Sequence, residues 1–448
     1  MSLRSELLRT LAGSTGVYLF GTAMGFLVGI QLARGLGVAG YGLYGSAMAA
    51  ANLGATVASG GLQLHATREV AASLARKEPE TAARLIGWSL RNVLVLGAAA
   101  SISVGGYVLS GQGAETGLGL WAMFLTLLMS LIALAGAIVR GTEAVVIGQA
   151  MDVAIRPAAQ SGLLLIAILG SGTIDPGLAL ALSCLAIIFA LPFGWPAISR
   201  VWTKSPIRIA SEEQRAWRRA SATMGLTTII RATEAALPLI ILGAISTMEE
   251  AGIFRVATAV AVFSMFGVNI ISAIAPQSAV RLYATGEMEK LRSLVAMYCF
   301  IMVIPSALLI PVLWIDGEAI LTLLFGKEFS PATGPLLIVL FSSLIVGLGG
   351  MGTTLLHVSN NEKTVTTTSF VALIAVVLVS LVLIRRYGAY GAATSVLIGS
   401  FIRVGSQTIA ARNLTGIDPS FFASILNIAR HLRAKRLLIH PGKPREQE

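Results

Sequence analysis

The chain has 448 residues, of which 55% are hydrophobic and 12% charged. That composition excludes an ordinary soluble globular protein, and at about 20 residues per crossing helix it holds material for roughly a dozen membrane spans. The net charge of +11 does not point to nucleic acid, because the basic residues lie in loops between apolar runs.

Those runs, such as Val371 to Ile384 and Leu178 to Pro192, are unbroken rather than alternating, so the expected class is all-α integral membrane and not a β-barrel. Runs near 20 residues predict spans at 11–33, 43–63, 92–109, 118–139, 145–170, 176–198, 221–245, 251–276, 293–314, 334–355, 365–384 and 390–411. The first, Leu11 to Ala33, exceeds a signal-peptide core of about 7–15 residues and is expected to be retained. Counting Lys and Arg on alternate sides places 25 with the termini and 4 (Arg34, Lys327, Arg385, Arg386) on the opposite side. By the positive-inside rule both termini are expected in the cytoplasm, with an even number of spans.

The longest and most basic loop, Ser199 to Ala220, divides the spans six and six. The expected organisation is an N-terminal lobe with its linker at 1–220, a C-terminal lobe at 221–411 and a basic tail at 412–448. A shift of 210 positions sets Gly42-Leu43-Tyr44 against Gly252-Ile253-Phe254, each opening the second span of its half. Six spans per half in the same orientation predict parallel repeats related by a pseudo-two-fold along the membrane normal.

Gly21, Gly25 and Gly29 at four-residue spacing give the first span a bare groove, suited to another helix of the same bundle or to a dimer face. Pro157, Pro238, Pro276 and Pro305 are expected to bend their spans. Cys184 and Cys299 lie in separate apolar runs and are expected to be core packing, and His65 and His357 fall at span ends, expected solvated or interfacial. The tail from Ile417 to His440 interleaves Phe421, Phe422, Ile425 and Leu432 with Arg430, Arg433, Lys435 and Arg436, a pattern for a basic helix lying on anionic lipid.

Four arginines fall inside predicted spans: Arg156, Arg231, Arg255 and Arg403. Each costs about 2.5–3.5 kcal/mol near the midplane on insertion scales, so such residues face a wet cavity or a partner. Glu234, three residues beyond Arg231, is the one acid placed as deep, with Asp152 shallower, which leaves an excess of positive charge for an anionic ligand to meet. Each also has a structural reading: Arg231 neutralised by Glu234, Arg255 snorkelling, Arg156 serving carbonyls freed by Pro157, Arg403 bonding within its helix bundle. Asn52 and Asn269 are polar enough to line the same cavity or to bond between helices. The chain contains no GxxxxGK[ST], no HExxH and no Cys/His cluster, so neither ATP hydrolysis, a metal site nor a cofactor is expected, and no gathered acid, base and nucleophile suggests an enzyme.

Four segments carry a resemblance: LARGLGVAGYGLYGSAMA (Leu32 to Ala49), GLQLHATREVA (Gly61 to Ala71), LLFGKEFSPATGPLLIV (Leu323 to Val339) and RYGAYGAATSV (Arg386 to Val396). On these the chain resembles the Wzx-like polysaccharide flippases of the multidrug/oligosaccharidyl-lipid/polysaccharide (MOP) exporter superfamily. The resemblance implies a two-lobe transporter of the bacterial inner (plasma) membrane, serving polysaccharide or lipopolysaccharide biosynthesis. It would move an undecaprenyl-pyrophosphate-linked oligosaccharide from inner to outer leaflet by alternating access, among membrane lipids and beside glycan polymerase or assembly proteins. The charge argument makes Arg231, Arg255, Arg156, Arg403, Asn52 and Asn269 the candidate substrate contacts and Glu234 the candidate site for a coupling H+ or Na+. The alternative on the same scaffold is a multidrug or cation antiporter, which should line its cavity with acids and aromatics.

Overall fold

A computed structural model of the chain describes residues 3–111, 116–202 and 211–423; the side chains of 3–12, 171 and 273 lie outside that description, as does most of the expected amphipathic tail. The described residues are helical, without a strand. In chain order the helices are α1 (Leu3–Ala75), α2 (Pro79–Ser110), α3 (Thr116–Gly141), α4 (Val145–Ala150), α5 (Arg156–Ser171), α6 (Pro176–Ala190) and α7 (Trp195–Ser199). They continue as α8 (Ser211–Ile245), α9 (Met248–Ala261), α10 (Phe266–Ala284), α11 (Met288–Phe325), α12 (Thr333–Leu348), α13 (Gly352–Val358) and α14 (Glu362–Thr415).

Among the described residues, ten helical stretches are long and apolar enough to cross a membrane, and two of them are pairs of spans. In α1 the helix breaks at Gly37, whose φ of 67° is open to glycine at no steric cost. A Cβ on Gly29 would lie 3.5 Å from the Tyr41 hydroxyl, although twelve residues of straight helix span about 18 Å, so the chain folds back there. In α14 the break is Gly388, φ 50°, and the backbone of Gly391 returns against the carbonyl of Leu383. Counting both arms of α1 and of α14, the described residues hold twelve spans, the number expected.

The helices overrun their apolar segments: α2 begins at Pro79 rather than 92, and α8 at Ser211 rather than 221. The polar extensions are held by an apolar cluster in which Trp88 and Trp217, 5.4 Å apart with their rings tilted at 58°, pack with Leu62, Val70, Leu85 and Ile138. The boundary expected at residue 220 therefore falls within one continuous helix. By packing, the chain forms one unit of Met1–Val260, Gly317–Leu336 and Val376–Ser395, and a second of Ala261–Asp316, Leu337–Ala375 and Val396–Glu448. In the second unit Gln407 is the buried polar centre, accepting from Thr353 at 2.6 Å and donating to Thr368 at 3.2 Å.

Between α4 and α5 the helix widens into a π turn at Met151–Ile155, which accommodates Pro157, a residue without an amide donor for the α pattern. The glycine groove of the first span serves the same bundle: the Val153 carbonyl of that π turn lies against Gly21, where a Cβ would come within 2.7 Å of the carbonyl carbon. Cys184 and Cys299 are buried and unbridged, as expected. His65 departs from expectation: α1 continues ten residues past it, and its side chain is buried.

Candidate functional site

The second arm of α1 (38–75), α8 and α9 enclose a cavity of about 280 Å³ within the first unit. Met48, Asn52 and Thr56 project into it from one helical face, at spacings of four residues. Ala232, Ala235 and Ala236 of α8 form a smooth opposing wall, and Arg255 and Thr258 of α9 close the third side. No Asp or Glu is among these walls.

Arg255 reaches the cavity because Gly45 offers no side chain: the arginine's Cγ and Cδ lie 3.1 and 3.3 Å from where a Cβ on Gly45 would stand. Its guanidinium lies beside the Tyr41 hydroxyl, while its Nε is buried without a hydrogen-bond partner. A buried, unsatisfied guanidinium N–H is costly. Behind Tyr41, Tyr44 stacks at 6.4 Å. Gln160, buried, donates to the Tyr44 hydroxyl at 3.1 Å and to Ser183 Oγ at 2.9 Å. This network fixes the face of α1 that carries Arg255's neighbours.

The structure thus brings Asn52 and Arg255 together. Arg156 is elsewhere and its charge is met: Nε donates to Asp152 Oδ1 at 2.7 Å, one helical turn back. The expected excess of intramembrane positive charge is smaller by that pair. Arg231 is exposed and Glu234 buried on α8, neither among the cavity's walls. Arg403 and Asn269 belong to the second unit. Sequence reasoning did not single out Thr56, Thr258, Tyr41 or Gln160. The available signal was the four-residue spacing from Asn52 to Thr56 and the placement of Tyr44 in the 210-residue repeat.

That repeat has a geometric counterpart. The backbone of Gly42 meets the Met248 carbonyl, and the backbone of Gly252 meets the Val38 carbonyl. Residues 42 and 252, and 38 and 248, are each 210 apart, so the contact is reciprocal in the manner of a two-fold interface.

No known family profile and no curated protein matches the chain. Solved structures do. An inward-facing multidrug resistance MATE transporter of the MOP superfamily superposes with a TM-score of 0.70 at 14% identity, over 88% of this chain and 94% of the other. The lipid II flippase MurJ in an inward closed conformation gives 0.70 at 11%, over 88% and 86%. The chain has the fold of the MOP superfamily transporters. A MOP transporter from Pyrococcus furiosus with a binding pocket of reverse polarity is also similar, with a TM-score of 0.60 at 15% identity over 90% of this chain and 95% of that one. The multi-pass, all-helical MOP architecture therefore covers most of the chain, with drug transporters and a lipid flippase alike among its neighbours.

Proposed function

We propose that the chain is a flippase for an anionic, lipid-linked oligosaccharide of the undecaprenyl-pyrophosphate type, moved from inner to outer leaflet of the bacterial plasma membrane by alternating access of two six-helix lobes. Arg255 carries this reading: a guanidinium with an unpartnered N–H, in a cavity without an acid among its walls, suits a phosphate better than a cation. Guanidinium presents a fork of donors that matches phosphate oxygens, and Asn52, Thr56 and Thr258 add neutral groups for diphosphate or sugar. The reciprocal contact of Gly42 and Gly252 supports the lobes, 1–220 and 221–411, and their two-fold relation.

Arg231, Arg156, Arg403 and Asn269 are secondary candidates, and Glu234 is the proposed site of a coupling H+ or Na+. With both termini cytoplasmic, a headgroup of two negative charges moving outward across 100 mV gains about 4.6 kcal/mol, at 2.3 per charge. The membrane potential then favours export without covalent chemistry.

Two measurements test the reading. Deleting the protein in its native cell should cause lipid-linked glycan to accumulate on the inner leaflet. The detergent-solubilised protein should be protected from thermal unfolding by a prenyl diphosphate and not by an organic cation; protection by the cation alone would assign it to the antiporters instead.

A further inference from the structure

Between α3 and the end of α6, within two stretches long and apolar enough to cross a membrane (Thr116–Gly141 and Pro176–Ser199), lies a groove of about 500 Å³. Its cause is local. The regular helix of α6 ends at Ala190 and passes through a 3-10 turn, Leu191–Gly194, into α7. Gly194 rests on α3 and on the π turn: a Cβ there would stand 2.8 Å from Met151 Sδ and 3.0 Å from Val139 Cγ2. With the backbone held at that contact, Ile188, Leu191, Trp195 and Ile198, at spacings of three and four residues, form one wall. Pro192 and Pro196 extend it, and Ala135 of α3, the smallest side chain of the lining, is the floor.

No residue of the lining is charged, and Ile188 and Trp195 are 51% and 61% exposed although apolar. On a helix that crosses a bilayer, such a surface is covered by hydrocarbon. From Ile188 to Ile198 the groove runs about 15 Å, half the roughly 30 Å of the hydrocarbon core, so it follows a chain through one leaflet. The end at Ile198 leads to exposed Arg200, the only charged residue from 176 to 202; Lys204 and Arg208 follow, and no acid occurs from 176 to 210. Trp195 and Trp202, both exposed, carry the amphipathic ring suited to the headgroup level. Ala135, Pro192 and Pro196 have no rotamer freedom to lose when a chain packs on them, so binding costs the protein little ordering.

We infer that this groove holds one acyl chain of an anionic glycerophospholipid, drawn from the leaflet at the Arg200 end, with the Arg200 guanidinium on its phosphate. The chain fills the notch between α3 and α6 and braces the 3-10 joint. A much longer undecaprenyl chain would overrun a groove one leaflet long. The helices that wall the central cavity, α1, α8 and α9, contribute nothing to this lining, so the site is independent of the proposed transport substrate.

Native mass spectrometry and thermal unfolding of the detergent-solubilised protein test the site, with dioleoylphosphatidylglycerol as the anionic probe and dioleoylphosphatidylcholine as the neutral one with the same chains. One phosphatidylglycerol should bind ahead of all others, severalfold more tightly than phosphatidylcholine, and raise the unfolding temperature. Ala135→Phe places a ring in the groove and Trp195→Ala removes a wall; each should weaken both lipids severalfold. Arg200→Gln should bring phosphatidylglycerol down to the affinity of phosphatidylcholine. Ala99→Phe, a ring at an exposed position of α2, should change neither. Lipids that bind without a first, tight one, or binding unchanged in both A135F and W195A, would reduce the groove to ordinary annular contact and overturn the site. If A135F does not fold, W195A decides. A preference for phosphatidylglycerol that survives in R200Q overturns the role of Arg200. Displacement of the first phosphatidylglycerol by a prenyl diphosphate would give the groove to the transported lipid instead, and a dimer that A135F dissociates would give it to a second copy. Phosphatidylglycerol binding as expected, without protection of the protein by a prenyl diphosphate, would refute the flippase reading alone.

Discussion

Replacing Arg255 by methionine separates a ligand-binding arginine from a structural one, because the two roles predict opposite signs. The methionine keeps an unbranched stem to lie on the bare backbone of Gly45, where Arg255 Cγ and Cδ pack, and removes the guanidinium. A charge-assisted hydrogen bond to a phosphate is worth about 1.5–3 kcal/mol, which corresponds to a loss of about 10- to 150-fold in affinity. The empty protein should not suffer: a buried N–H without a partner disappears, together with a membrane-insertion cost of about 2.5–3.5 kcal/mol at most. That figure is an upper bound because the side chain is only partly buried. Thermal unfolding of the purified protein, with and without a prenyl diphosphate, should therefore show an unfolding temperature equal to or above wild type in the empty R255M variant and little protection by the ligand. Arg255→Lys, retaining charge without the planar fork, should fall between. A lower unfolding temperature for empty R255M, with the ligand's protection intact, would refute the assignment and make Arg255 a packing residue held by Tyr41.

Other consequences are more local. Trp217→Ala should destabilise the protein by about 3–5 kcal/mol, read as a lower unfolding temperature, because the indole is buried against Trp88. Gln160→Leu leaves the Tyr44 and Ser183 hydroxyls short of a donor and should cost about 1–3 kcal/mol, with a smaller loss of diphosphate affinity through displacement of the Tyr41 face. Asp152→Asn removes the partner of Arg156 in a half-exposed pair; it should cost about 1 kcal/mol or less and leave diphosphate affinity unchanged, since Arg156 is outside the cavity. In the turn after α10, the Lys290 ammonium holds the Glu287 carboxyl below its ordinary range, with Thr285 and Arg281 assisting. A depressed folded value means the stabilisation is complete above the unfolded value of about 4.3 and fades as pH falls through the lower folded one. The protection of the Gly286 and Glu287 amides against exchange, taken relative to the rate of an unstructured chain at the same pH, should fall in that acidic window, and Glu287→Gln should abolish the dependence.

The spans were legible because membrane burial is a property of single segments: each apolar run reports its own solvent, and all twelve emerge. Their ends were not, since the starts of α2 and α8 are polar in sequence and become helical by docking on each other through Trp88 and Trp217, a contact 129 positions apart. The pairing of Arg156 with Asp152 was within reach at i, i+4. Judging Asp152 by its depth missed that a carboxylate one turn away is reached by arginine's long side chain. Arg255 shows the opposite case. Its neighbours in sequence suggest snorkelling to the surface, and what turns it into the cavity is Gly45, 210 positions away, whose contribution is the absence of a side chain. The repeat makes such remote contacts tractable. Under a two-fold relation, a residue can touch the neighbourhood of its own repeat mate only near the axis, and any such contact must recur with the roles exchanged. Gly42 on Met248 and Gly252 on Val38 satisfy that condition, so the 210-residue shift, weak as a match of letters and read in the sequence only as a sign of repeats, coincides with a contact between the two helices that carry it.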